Sequence, residues 1–159
     1  RIRAEPMLTL LRREFTVEVS RAQAWRHLAR VERFPSWAKH IRSIAVEPPG
    51  DLGPGSTGTI RLANGVRSAF TVTAFDPLEH WQWRGRFLWL VVDYDLRFEE
   101  LGPRRTKLVW EVAAEGFARA IFGRIFAQIY AQSLDRAIPR LIAEMNALEA
   151  PPPLAGRTG

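Results

Sequence analysis

The chain has 159 residues and no cysteine, so it can bury one sizeable core without staples, while disulfides, thiolate metal sites and a cysteine nucleophile are excluded. A net charge of +6 raises nucleic-acid or membrane-surface binding, but the arginines are dispersed (Arg12, Arg30, Arg61, Arg84, Arg105 and Arg140 among them) with acids between, as on a solvated surface. No apolar leader is present and the longest apolar run, 87–92, is far too short to span a bilayer. A soluble, cytoplasmic protein is expected, with a removed leader left open by Arg1 at the first position.

Residues 9–19 alternate well enough, with Phe15, Val17 and Val19 on one side, to form a strand. Ser20 stands where an N-cap belongs, ahead of a short helix at 21–29 that turns Ala24, Trp25 and Leu28 inward. Residues 31–37 read as a further helical turn broken at Pro35. Six strand patterns follow, at 41–47, 55–63, 66–75, 80–86, 88–100 and 106–114. Pro48-Pro49-Gly50, Asn64-Gly65, Asp76-Pro77 and Gly102-Pro103 supply the fixed or positive φ that tight connections need, and Asn64-Gly65 suits a two-residue hairpin. Short connections make the neighbours antiparallel.

Residues 117–148 close the pattern as a long amphipathic helix. Phe117, Ile121, Phe122, Ile125, Phe126, Ile129, Tyr130, Leu134, Ile138, Leu141, Ile142, Met145 and Leu148 recur at spacings of three and four, with Arg119, Arg124, Gln128, Asp135, Arg136, Arg140 and Glu144 between them. Pro139 removes an amide donor and crowds the preceding turn, so a bend at 133–139 is expected and not a stop. The order strand, two short helices, six strands, one long helix is α+β, a curved antiparallel sheet of about seven strands wrapped around the final helix. Residues 1–8 read as an N-terminal extension, 9–148 as the domain, and 149–159 as a flexible tail of three prolines and two glycines.

Three stretches carry a likeness: 15–44, FTVEVSRAQAWRHLARVERFPSWAKHIRSI; 76–85, DPLEHWQWRG; and 106–116 followed by the helix. In order and spacing they resemble the START-like helix-grip (SRPBCC) superfamily of polyketide cyclases, lipid-transfer domains and plant pollen-allergen-type proteins, over residues 9–148. The resemblance implies an internal cavity between sheet and long helix that holds apolar or aromatic molecules, and in some members aligns a polyketide for ring closure.

Strand alternation assigns faces. Tyr94, Leu96 and Phe98 share one face of their strand, and Asp93, Asp95, Arg97 and Glu99 the other. The same rule turns Phe70, Val72 and Ala74 inward, together with Trp81, Trp83, Gly85, Leu108, Trp110 and Val112. With Trp37, Phe117, Phe122, Phe126 and Tyr130, these make an aromatic wall nearly free of ionisable groups, suited to flat apolar ligands. The expected ligand contacts are Trp37, Phe70, Val72, Trp81, Trp83, Tyr94, Leu96, Phe98, Trp110, Phe117, Phe122, Phe126 and Tyr130. The bland alternative is that the same rings fill the space and leave no void.

Catalytic chemistry is thinly marked. Tyr94 and Tyr130 could donate phenols to a ligand carbonyl, and His40 stands where a cavity opening is expected. His27 and His80 read as solvent-facing, and Asp93 and Asp95 as part of an exposed, salt-bridged strand face with Arg97 and Glu99. Relatives with polar chemistry often carry His or Glu on the last strand, where this chain has Trp110 and Val112. Glycines 50, 53, 55 and 58 lie in a proline-rich loop and read as a lid or plain turn, not a phosphate cradle. No metal-ligand spacing occurs, so no metal and no cofactor are expected. The first reading is a binder of a hydrophobic small molecule, a lipid, polyketide or aromatic metabolite. Second comes a cyclase or dehydratase using the same cavity, and third a basic surface that docks on membrane or nucleic acid. Neither nucleic-acid binding nor stable membrane insertion is favoured, and the assembly is expected to be a monomer or homodimer.

Overall fold

The computed structural model describes residues 8–87, 90–115 and 119–148. Its elements are β1 (Leu8–Val17), α1 (Arg21–Ala29), a 3-10 turn (Val31–Ser36), β2 (Ile41–Glu47), β3 (Thr57–Leu62), β4 (Arg67–Asp76), β5 (His80–Phe87), β6 (Leu90–Gly102), β7 (Arg105–Glu115) and α2 (Arg119–Asn146). The seven strands make one antiparallel sheet in the order β1-β7-β6-β5-β4-β3-β2. Strands β2 to β7 therefore form a meander of chain neighbours, and β1 returns to close the β7 edge. Against this sheet lies α2, in the helix-grip arrangement. The expected extension at 1–8 is described only at Leu8, where β1 begins, and the expected tail, 149–159, and Phe117 lie outside the described residues.

Local chemistry explains the elements. The Ser20 hydroxyl accepts from the Gln23 amide at 3.2 Å and caps α1, whose Ala24, Trp25 and Leu28 are buried. The long helix runs through Pro139 without a break, because its buried stripe of Phe126, Leu134, Ala137, Leu141 and Met145 is held against the core. Its two acids tie it to the rest of the domain. The Arg13 guanidinium on β1 donates to Asp135 at 2.8 Å and holds that carboxyl below the usual carboxylate range. The Glu144 carboxylate meets His27 of α1 at 2.7 Å and accepts from the Ser36 hydroxyl. At the far end, Asn146 Oδ1 accepts from the Glu18 amide at 2.8 Å.

Four expectations from alternation and turn chemistry are corrected. A bulge between Val72 and Ala74 breaks the period of β4, so Ala74 pairs with the outward Gln82, while Phe75 pairs with Trp81 and joins the core. The Asn64-Gly65 connection is not a two-residue hairpin. Of its residues only Gly65 has positive φ, and the Leu62 amide bonds the Val66 carbonyl around a loop of three residues, 63–65. Neither His27 nor His80 faces solvent: their side chains are only 15% and 13% exposed, the first against Glu144 and the second 2.9 Å from Asp95, without hydrogen-bond alignment. Asp93 is buried beneath Arg84, which bonds it through two nitrogens at 2.8 and 3.0 Å, so only Arg97 and Glu99 form an exposed face. The reason is position. β6 has a neighbour on each side, and longer side chains of β5 lie across its short carboxylates.

Candidate functional site

The sheet's concave face is divided. At the α1 end Trp25 sits with its ring centroid 4.9 Å from Trp81, 5.0 Å from Phe98 and 5.3 Å from Phe75, and this close-packed cluster fills the volume. At the other end the helix stands off from the sheet. A cavity of about 400 Å³ opens there, bounded by Phe34, Trp37 and Ala38 of the 3-10 turn and its end, by Ile60 and Leu62 of β3, by Trp83, Tyr94 and Trp110 of the central strands, and by α2 from Phe122 to Leu134. That volume lies within the range of small-molecule sites. Ile125 and Ile129, 54% and 63% exposed, line it from the helix side, and Ala63 and Asn64 line it from the β3–β4 turn, which marks the mouth.

Inside, the polar groups are few. Burial pushes the Tyr94 and Tyr130 phenols well above their ordinary pKa, and their mutual proximity adds to the effect at Tyr130, so both hydroxyls stay protonated at any physiological pH. Their rings are 5.8 Å apart, and Tyr130 stacks on Phe126 at 5.7 Å. Among the described residues no group accepts from the indole N–H of Trp83 or of Trp110; the latter lies beside Tyr130 without hydrogen-bond alignment. At the rim, His40 stands edge-on to Tyr130, with desolvation lowering its pKa, so the ring is neutral near pH 7. The interior thus offers apolar surface and hydrogen-bond donors. Among the described residues no cluster of His, Asp and Glu could hold a metal ion.

A family model described as polyketide cyclase / dehydrase and lipid transport matches residues 9–141. The chain belongs to that family. Solved structures agree on its fold. A START superfamily protein from Mycobacterium smegmatis superposes with a TM-score of 0.66 at 14% identity, covering 87% of this chain and 97% of that one. Ara h 8.0201 gives 0.70 at 17% identity, over 89% and 99% of the two chains. The hypothetical protein jhp0584 from Helicobacter pylori gives 0.69 at 14%, over 84% and 86%. A search of curated proteins finds no match. No helix among the described residues is long and apolar enough to cross a membrane.

Seven of the expected contact residues line the cavity: Trp37, Trp83, Tyr94, Trp110, Phe122, Phe126 and Tyr130. Five do not. Trp81 and Phe98 are locked in the Trp25 cluster, and Val72 and Leu96 are buried in the core away from the cavity wall. Phe70 instead covers Gly58, where an added Cβ would come within 2.6 Å of Phe70 Cε1. Alternation names the face a residue points to, but not which end of that face the α1 helix fills. The lining also includes Ile60, Leu62, Ser68, Ile125 and Ile129. The helix periodicity had marked the last two, whereas β3, interrupted by Gly58, carried too little alternation to mark the first pair. The 48–56 loop is no lid: the buried Leu52 donates its amide to the Ala29 carbonyl, pinning the loop at the α1 end.

Proposed function

We propose that the protein binds an apolar small molecule, aromatic or lipidic, in the cavity between the sheet and α2, and presents it with hydrogen-bond donors. The observation that carries this reading is the combination of a void of about 400 Å³, open to solvent, with walls almost wholly apolar. A filled core would have placed more rings like the Trp25 cluster there. The donors on the cavity wall are the Tyr94 and Tyr130 hydroxyls, so a ligand with a carbonyl or ether oxygen would find partners there, while the Trp83 and Trp110 indole N–H groups lie buried in the wall. The family's dual description, cyclase and lipid transport, is consistent with such a pocket and does not choose between carriage and catalysis.

The test is uptake of a neutral aromatic dye, N-phenyl-1-naphthylamine, followed by native mass spectrometry and organic extraction of whatever co-purifies. Dye binding at one site per chain, reduced by Trp110→Leu, is the expected result. A folded protein that takes up no dye and carries no passenger would sink the proposal.

A further inference from the structure

On α2 the residues that line the cavity follow one another at helical spacing: Phe122, Ile125, Phe126, Ile129, Tyr130, Ser133, Leu134. The same face continues beyond Ser133, but its chemistry changes. Arg136 and Arg140 lie three and seven residues further on, with Ala137 between them, and together with Lys39 they line a second cleft of about 300 Å³. This cleft shares His40 and Ser133 with the apolar cavity, so the two are contiguous. An apolar cavity and a cationic cleft thus adjoin, with a neutral imidazole and a hydroxyl between them.

The three cations there have no countercharge among the described residues. Among the described residues no carboxylate lies within ion-pair distance of Lys39, Arg136 or Arg140, and the Lys39 ammonium donates only to the Pro35 carbonyl, at 3.3 Å. The two acids of α2 are committed elsewhere, Asp135 to Arg13 and Glu144 to His27 and Ser36. A cluster of this kind, unlike the salt-bridged arginines on the sheet, holds its positive potential at one place and opens onto a pocket.

From this juxtaposition we infer that the ligand is an anionic amphiphile, whose apolar body occupies the cavity and whose carboxylate or phosphate head lies in the Lys39–Arg136–Arg140 cleft. The inference rests on the cavity being a ligand site. Planar guanidinium groups one helical turn apart can each present two N–H donors to such a head, and the Ser133 hydroxyl can add a third partner. A neutral lipid or hydrocarbon would forgo these contacts and leave the cations solvated.

The experiment displaces N-phenyl-1-naphthylamine with decanoate, with 1-decanol and with acetate, in wild type and in an Arg136→Gln/Arg140→Gln variant, at low and moderate salt. Decanoate is expected to bind about tenfold more tightly than decanol at low salt, equivalent to about 1.4 kcal/mol. The preference should shrink at ~0.3 M salt and disappear in the double variant, while decanol affinity stays unchanged and so reports an intact cavity. Acetate, which lacks the apolar body, should not displace the dye. Equal binding of decanoate and decanol, or a preference that survives the double substitution, would overturn the head-group site and leave the cavity standing. Failure of the wild type to take up dye and decanol alike would remove the cavity reading, and the head-group assignment with it.

Discussion

Leu134 and Leu141 permit a matched test of whether the space beside α2 is truly empty. Both belong to the same helix and are buried, at 1% and 0% exposure, but Leu134 borders the cavity while Leu141 is enclosed by core on all sides. A buried leucine truncated to alanine costs about 3 to 5 kcal/mol, rising with the void left behind. Much of that cost is the loss of dispersion contacts, of which a fully packed leucine makes roughly 40 to 60. Leu134 lacks partners on the side that faces the void, so part of the loss is already present in the wild type. Leu141→Ala should therefore cost about 4 kcal/mol and Leu134→Ala about 3 kcal/mol. Urea unfolding of the two variants under identical conditions resolves a gap of ~1 kcal/mol through the midpoints. Leu134→Ala should also bind a bulky neutral dye at least as well as wild type, because its pocket is enlarged. A cost for Leu134→Ala equal to or above that of Leu141→Ala, with weaker dye binding, would refute the argument.

Three further expectations address other parts of the molecule. Gly58→Ala places a methyl against Phe70 and the Ala45 carbonyl, so overpacking of about 1–3 kcal/mol should outweigh the gain in backbone stiffness; adding Phe70→Leu should recover part of the thermal shift. Arg84→Met leaves the buried Asp93 carboxylate without its guanidinium and should destabilise by about 2 kcal/mol in denaturant unfolding, the partial exposure of Arg84 keeping the cost below that of a fully buried pair. His40 has a folded-state pKa below its unfolded one, so protons bind preferentially to the unfolded chain as pH falls through about 6.5. Wild type should lose stability across that interval relative to His40→Asn, and a pH-independent difference between them would contradict the desolvation described at the rim.

The fold was legible because its signals are periodic and local. Thirteen apolar positions at helical spacing announced α2, Ser20 announced the start of α1, and the proline and glycine pairs separated the strands. What alternation could not supply was everything that depends on a break in the period. The bulge that replaces Ala74 by Phe75 on the inner face, the three-residue turn at 63–65, and the burial of Asp93 and His80 under neighbouring strands are set by tertiary contacts. The candidate site was read as one continuous wall, whereas Trp25 closes half of it. That closure depends on where α1 docks. The cationic cleft was hidden for a related reason: Lys39 is far in sequence from Arg136 and Arg140, and all three look like ordinary surface charges until the chain is folded.

The place of β1 in the sheet has a kinetic consequence. Strands β2 to β7 each pair with a neighbour in sequence across at most nine connecting residues, whereas β1 pairs with β7 across nearly the whole domain, and it also carries Leu10 and Arg13, which receive Gly123 and Asp135 of α2. Closing that long loop is entropically the slowest kind of step, so the meander can assemble before β1 and α2 are seated. The cavity has no second wall until α2 arrives. A ligand consequently has nothing to grip during the earlier stages, and its stabilisation should appear as slower escape from the native state with little change in the rate of reaching it. Stopped-flow unfolding with and without bound ligand reads this directly, and a ligand that accelerated folding would place α2 in the nucleus instead.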